Sequence, residues 1–135
     1  MTKKDPVRDF LKQRGCPPHV VDGGLPGLLS AWEKTAADVA GVYRLGLDDY
    51  LNDMDGRELL DAAWAAAGDP EREALGSHLE AADRKMKRHL LPPGPCLWGE
   101  SEAAARGWTP EKNWWYFRRP RRAGNDFETD WRRKS

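Results

Sequence analysis

The stretch DPEREALGSHLEAADRKMKRHLL, residues 69–91, decides the fold class. It begins with Asp69-Pro70, an acid that can cap a helix followed by proline at the first helical position. Its apolar residues recur every three or four positions, which is the spacing of one face of an α-helix. The prolines at 92–95 end the pattern. We therefore predict a helix from residue 70 to about residue 91, with an apolar face made of Leu75, Leu79, Ala82, Met86 and Leu90.

Helical signals of the same kind precede this stretch. Asp5-Pro6 repeats the start signal, and apolar residues again recur at helical spacing up to residue 67. Prolines and glycines interrupt the pattern between its first two segments. The predicted elements are a short helix at 6–14, a linker at 16–24, a helix from about 26 to 42, and two helical pieces over 47–67 joined at Asp55, which would cap the second piece.

The last part of the chain has a different composition, because five of the seven tryptophans lie in residues 96–135. A short capped helix is predicted at 101–107. Residues 113–119 have the aromatic density of a β-strand. One arrangement open to them is a short β-ribbon with residues 96–98, which would need other elements to pack on. Residues 130–135 are expected to form a mobile tail.

Together these signals predict a mainly α fold. We expect a small helical domain of four to five helices with a C-terminal aromatic segment. In one of the arrangements open to it, this segment forms a short β-ribbon. The predicted organisation is a helical core domain at 1–95 and a Trp/Arg-rich segment at 96–135 packed on the same domain. A chain of 135 residues is long enough to bury one hydrophobic core without disulfides or metals.

Composition and charge exclude several classes of protein. The 22 Lys and Arg balance the 22 Asp and Glu, which excludes a histone-like basic protein and an acidic tail. No apolar run approaches the roughly 20 residues of a membrane span. The first residues, Met1-Thr-Lys-Lys, lead into Asp5-Pro6 and not into an apolar region, so we expect no secretory signal. Cys16 and Cys96 are far apart in the sequence and make no disulfide framework. Since no secretory signal is expected either, we expect reduced thiols and a cytoplasmic protein.

The charges are unevenly distributed along this neutral chain. Residues 38–61 contain seven acids and two arginines, a net charge of −5. Residues 112–135 contain eight bases and three acids, a net charge of +5. The two segments are therefore expected either to face each other or to face different partners. The candidate binding residues of the acidic helical face are Asp48, Asp49 and Asp53.

The spacing of the possible metal ligands does not match a known metal-binding motif. With Gly56 as the sixth residue of an EF-hand loop, Leu51 and Ala62 would occupy two ligand positions. Cys16-x-x-His19 and the pair His89 and Cys96 lack the spacing of a zinc finger or ribbon. No serine lies in a nucleophile elbow, and no phosphate-binding glycine loop is present. We therefore predict no catalytic residue, no metal ligand and no cofactor.

The aromatic and basic run in the C-terminal segment has three interpretations. Alternate aromatic side chains can fill the helical core, with arginine stems covering the others. The same residue types dominate protein interfaces. They also suit single-stranded nucleic acid, where aromatic rings stack on bases and arginines neutralise phosphates. The candidate binding residues of this face are Trp114, Trp115, Tyr116, Arg118, Arg119, Arg121 and Arg122.

The leading functional hypothesis is a non-enzymatic cytoplasmic protein-interaction or regulatory domain. It would bind another protein through the acidic helical face, the aromatic–basic C-terminal face, or both. The alternative is single-stranded nucleic-acid binding through the C-terminal segment, and a third hypothesis is a metal-dependent enzyme using the acidic cluster. A homodimer is also open, whereas a membrane partner is not expected. Bacterial regulatory proteins are often of this size, which is an analogy of size alone.

Overall fold

A computed structural model describes residues 5–134 of the protein. The mainly α prediction is confirmed, since the described residues form helices and no strand. The expectation about a secretory signal in Met1–Lys4 lies outside these residues, as does Ser135. The elements are α1 (Pro6–Gln13), α2 (Pro18–Ala40), α3 (Leu47–Ala66), α4 (Asp69–Arg88), α5 (Glu100–Arg106), a 3₁₀ turn (Trp114–Tyr116) and α6 (Asn125–Lys134).

Local capping chemistry explains where the first helix begins and ends. The Asp5 side chain accepts a hydrogen bond from the Arg8 amide at 3.0 Å, and Pro6 occupies the first helical position. This is the arrangement predicted from the Asp-Pro pair. Gly15, just beyond the helix, has a φ of +81°, a conformation that glycine adopts without steric cost.

The linker predicted at 16–24 is wrong in most of its length. Residues from Pro18 onward are already helical, and α2 breaks only at Gly24, where φ is +59° and ψ is −157°. Pro26 follows this break and restarts the helix, since proline is well tolerated in a first helical turn. The predicted linker covers nine residues, but within α2 the helix is interrupted at the single residue Gly24.

The joint predicted at Asp55 is also wrong, because α3 is one continuous helix from Leu47 to Ala66. Asp55 lies in its middle and caps nothing. The helix is held together through this point by buried residues on both sides, Met54 and Arg57. The acidic side chain at 55 instead accepts hydrogen bonds from residues distant in sequence.

The strand predicted at 113–119 is wrong, because a 3₁₀ turn lies there. The predicted pairing of this stretch with residues 96–98 is nevertheless present in part. The Leu97 amide donates to the Tyr116 carbonyl at 2.7 Å, and the Gly94 amide donates to the Phe117 carbonyl at 2.8 Å. The two stretches run side by side and form one isolated antiparallel bridge, between Leu90 and Pro120. The prolines between 92 and 95 lack the amide hydrogens that a regular ladder needs, so no ribbon forms.

The tail expected at 130–135 is helical up to Lys134 as part of α6. Asp130 accepts a hydrogen bond from the Leu47 amide at 3.1 Å, which attaches α6 to the first turn of α3. Phe127 of α6 is fully buried and packs edge-on against Tyr43 and Tyr50, with ring centroids 6.1 and 5.6 Å apart. Burial of this aromatic anchor explains the order of the helix.

The core lies where α2 packs against α3 and α4. Trp32 of α2 and Trp115 of the 3₁₀ turn are 2% and 1% exposed, and the Arg57 guanidinium lies 4.4 Å from the Trp115 ring centroid. The aromatic C-terminal segment thus completes the helical core. The boundary proposed at residue 95 stays a prediction. None of the helices in residues 5–134 has the length and apolar character needed to cross a membrane.

Candidate functional site: a cleft of carboxylates and aromatic rings

The three acids predicted as a binding face do not form a common site. Asp48 and Asp49 are exposed at the start of α3, and Asp49 accepts a hydrogen bond from the Gly46 amide at 3.3 Å. Asp53 is half-buried and accepts a 2.8 Å hydrogen bond from the Tyr43 hydroxyl. Burial raises the pKa of Asp53, although the Tyr43 hydrogen bond opposes this effect. Their role in binding stays a prediction.

The aromatic rings predicted as stacking platforms are largely inside the protein. Trp115 and Tyr116 are each 1% exposed, so neither ring can accept a nucleic-acid base. Trp114 is half-buried, and the Lys87 ammonium lies 4.7 Å from its ring centroid. The core-filling interpretation of this run is therefore the one that fits its geometry. The prediction that Trp115 and Tyr116 stack on nucleic-acid bases is wrong, because both rings are buried.

The four arginines of the same run divide into two pairs. Arg118 donates to the Leu91 carbonyl at 2.8 Å, and Arg119 lies over the Trp131 ring with its guanidinium 4.8 Å from the centroid. Arg121 and Arg122 are exposed. The first pair is thus partly engaged in holding the C-terminal segment, while the second pair faces solvent.

A cleft of about 410 Å³ lies between α3, α5 and the aromatic segment. Its volume lies in the lower part of the range of small-ligand pockets, and it combines charged and aromatic walls. Its lining comes from four separate parts of the chain, which explains why no local sequence motif marks it. The lining residues are Arg14, Asp55, Glu58, Leu59, Trp98, Glu102, Arg106, Trp108 and Tyr116.

Asp55 is held at the cleft by two uncharged donors. The Tyr116 hydroxyl donates to its Oδ1 at 2.7 Å, and the Trp98 indole nitrogen donates to the same oxygen at 3.2 Å. Both donors use Oδ1, so Oδ2 keeps its lone pairs for another donor. The carboxylate is fixed in position, and among residues 5–134 no cation forms an ion pair with it.

Glu58 lies one helical turn further along α3 and is held in a similar way. The Asn113 amide donates to its Oε1 at 3.0 Å. Burial raises the pKa of Glu58, and the Asn113 hydrogen bond opposes that effect. Within residues 5–134 no lysine or arginine forms an ion pair with Asp55 or Glu58.

Aromatic rings form the other walls of the cleft. Trp108 stacks on Tyr116 with ring centroids 3.9 Å apart, and Trp98 is 41% exposed, which is unusual for so large an apolar side chain. The Arg106 guanidinium lies 5.8 Å from the Trp108 ring centroid and 2.9 Å from Glu102. One wall of the cleft thus already contains a cation between a ring and a carboxylate.

This arrangement is suited to binding a positively charged group. Carboxylates attract a cation by charge and accept its hydrogen bonds, and aromatic faces attract it through their quadrupoles. The described residues contain no group of three His, Cys, Asp or Glu side chains placed to hold a metal ion. The sequence alone does not reveal this site, because Asp55 has the pattern of a helix cap and no local motif marks Trp98 or Trp108. No family model, curated protein or solved structure matches the chain.

Proposed function

We propose that the protein is a non-enzymatic protein-interaction domain whose cleft receives a lysine or arginine side chain of a partner. The observation that carries this proposal is the bonding of Asp55 and Glu58. Both carboxylates are held by hydroxyl, indole and amide donors, and neither is paired with a cation. The lining contains three carboxylates and two guanidiniums, those of Arg14 and Arg106, so an excess of negative charge remains at the cavity. This excess is complementary to a cationic group.

The surroundings of the cleft support a protein partner in particular. Trp98 combines a partly accessible ring with a hydrogen-bonded indole nitrogen, which is the typical character of an interface anchor. The acidic residues Asp48 and Asp49 are exposed on the same helix, at its N-terminal end. They would steer a basic segment toward α3 without contacting it closely.

The location proposed for this activity is the cytoplasm. Cys16 and Cys96 are both free thiols in the structure, and Cys96 is buried at 4% exposure. Burial raises the pKa of the Cys96 thiol, which keeps it in the less reactive protonated form. Free cysteines of this kind are usual in a reducing compartment.

The proposal is tested by calorimetric titration with two short peptides that differ in one side chain. One peptide carries a single lysine, and the other carries norleucine at the same place. We expect binding of the lysine peptide only, and about tenfold weaker binding by the double variant D55N/E58Q. The matched control is D48N/D49N, which removes the same charge from the same helix but outside the cleft.

At physiological salt we expect the control variant to bind within about twofold of the original protein, because exposed charges at a distance are screened. Equal binding of both peptides would contradict the proposal. So would an equal loss of affinity in the two double variants, since the acidic surface as a whole and not the cleft would then be responsible.

A further inference from the structure

A second charged surface lies on two stretches of chain that run side by side. Residues 84–98 and 112–125 together contain nine lysines and arginines and no aspartate or glutamate. The Arg121 amide donates to the His89 carbonyl at 3.0 Å, and the Leu91 amide donates to the Arg119 carbonyl at 2.8 Å. These bonds bring the basic end of α4 against the basic C-terminal run. We call this surface the basic ridge.

The ridge is built around the Arg118 side chain. Its Nε donates to the Leu91 carbonyl at 2.8 Å and its Nη2 to the Lys87 carbonyl at 3.3 Å. The guanidinium therefore adds a fixed positive charge beside the last turn of α4. Burial lowers the pKa of Arg118, and the positive charge of Arg121 lowers it further, which indicates that like charges are crowded here.

Few counter-charges lie on the basic ridge. Of its nine lysines and arginines, Arg119 alone forms an ion pair in the described part of the chain, with Glu128 at 3.7 Å. Lys87, Arg88, Arg121 and Arg122 are exposed. No ion pair within residues 5–134 joins the acidic segment at 38–61 to the basic segment at 112–134. The basic charge is thus available to an external partner.

We propose that the basic ridge binds the phosphate backbone of nucleic acid, without base stacking. A partner with regularly repeated negative charge matches cations spread along two adjacent antiparallel stretches of chain. Stacking is excluded at Trp115 and Tyr116 by their burial, and the Trp114 ring already has the Lys87 ammonium over it. Binding through phosphates alone is independent of sequence, so we expect little preference among bases. The proposal does not depend on the cleft.

Other anionic partners fit the ridge less well. A phosphopeptide presents one or two phosphates and is matched by a compact cluster of arginines, not by charge along two stretches. An anionic membrane favours basic residues together with exposed apolar ones. The exposed aliphatic residues Val42 and Leu45 lie instead on the loop before α3, next to the acidic Asp48 and Asp49. Trp98, at the end of the first stretch, is also exposed, but its indole nitrogen is bonded to Asp55 in the cleft.

Fluorescence anisotropy with a labelled single strand and a labelled duplex of mixed sequence tests this proposal. We expect both to bind at low salt, with affinity that falls steeply as salt is raised. The variant R121Q/R122Q should reduce the slope of log affinity against log salt by about 1.4 for the single strand and about 1.8 for the duplex. The control K12Q/K34Q removes the same charge from exposed positions on α1 and α2 and should leave the slope unchanged.

Three results would overturn the proposal. The first is no binding at low salt, and the second is an equal loss of affinity in R121Q/R122Q and in the control. The third is displacement of the labelled nucleic acid by a singly phosphorylated peptide or by anionic vesicles at lower phosphate concentration than unlabelled nucleic acid. Displacement of this kind would assign the ridge to a different partner.

Discussion

The Tyr116 hydroxyl donates a 2.7 Å hydrogen bond to Oδ1 of Asp55, across 61 positions of sequence. Tyr116 comes from the aromatic 3₁₀ turn and Asp55 from the middle of α3. The bond therefore connects the C-terminal segment to the helical core and fixes a cleft carboxylate in one step. The buried phenol is kept protonated, since burial and the neighbouring carboxylate raise its pKa. The protonated Tyr116 hydroxyl holds Asp55 in place by donating a hydrogen bond to its carboxylate.

Replacement Y116F tests this double role. Loss of a buried hydrogen bond to a charged group should lower the free energy of unfolding by about 1.5 kcal/mol. The same change releases Asp55, so affinity for the lysine peptide should fall as well. Chemical denaturation and calorimetry measure the two effects. The control is Y50F, because the Tyr50 hydroxyl donates to the Arg118 carbonyl at 3.4 Å, away from the cleft. Unchanged affinity in Y116F would contradict the role assigned to the bond.

Replacement R106Q should tighten binding of a cationic peptide. The Arg106 guanidinium lies beside Trp108 and pairs with Glu102, so it competes with any other cation for both groups. Its removal makes the cleft more negative and exposes the ring face. We expect affinity to rise about threefold, because removing one exposed charge changes the binding free energy by less than about 1 kcal/mol. A loss of affinity would show that Arg106 contacts the ligand favourably, contrary to a cation-binding cleft.

Binding should weaken as the pH falls, because Glu58 loses its charge. Its pKa is raised above the usual 4.5 by burial, so protonation in the folded protein occurs at higher pH than in a free carboxyl group. Affinity for the lysine peptide is expected to decrease as pH falls through this raised pKa, and to be flat across the same range in E58Q. Calorimetry over a pH series measures both curves.

The raised pKa of Glu58 has the opposite effect on stability: the free energy of unfolding gains from Glu58 at low pH, where peptide binding is weak. A raised carboxyl pKa favours the protonated fold, so this contribution to stability is complete below pH 4.5 and is lost as pH rises through the folded pKa. At neutral pH, E58Q is therefore expected to be at least as stable as the original protein. A marked loss of stability in E58Q at neutral pH would contradict the assignment of burial as the main cause of the raised Glu58 pKa.

Arg57 and Asp83 form the main polar link inside the helical core. Arg57 donates from Nε and Nη2 to the two oxygens of Asp83, at 3.1 and 3.0 Å, and Trp32 donates to Asp83 at 2.8 Å. Since Arg57 is 5% exposed, D83N would leave a buried cation poorly paired. We expect a loss of about 3 kcal/mol in unfolding free energy. The control D61N removes an exposed carboxylate 3.6 Å from the same guanidinium, and it should cost less than about 1 kcal/mol because Asp83 still pairs with Arg57.

Much of the fold could be predicted because its signals are local. The capped start at Asp5-Pro6 and the apolar face of α4 depend on neighbours within one or two turns, and both are present in the structure. The continuity of α3 through Asp55 could not be predicted, since Asp-Gly is a local break signal that tertiary packing overrides. The order of α6 likewise depends on burial of Phe127, which is a tertiary effect.

The candidate site could not be predicted for a related reason. Asp55 and Glu58 lie within the acidic stretch that the sequence marked, but nothing local separates them from the exposed Asp48 and Asp49. What distinguishes them is contact with Trp98, Trp108, Asn113 and Tyr116, which come from positions more than 40 residues later. The unusual tryptophan content of residues 96–135 was the only sequence signal of these contacts.

The most direct test of the cleft is nuclear magnetic resonance of the tryptophan indole N–H groups during titration with the lysine peptide. We expect the resonances of Trp98 and Trp108 to shift, while that of the buried Trp115 does not. The norleucine peptide should leave all three unchanged, because it matches the aliphatic stem and lacks the charge. Equal shifts with the two peptides, or shifts confined to other tryptophans, would contradict the assignment of this cleft as a cation-binding site.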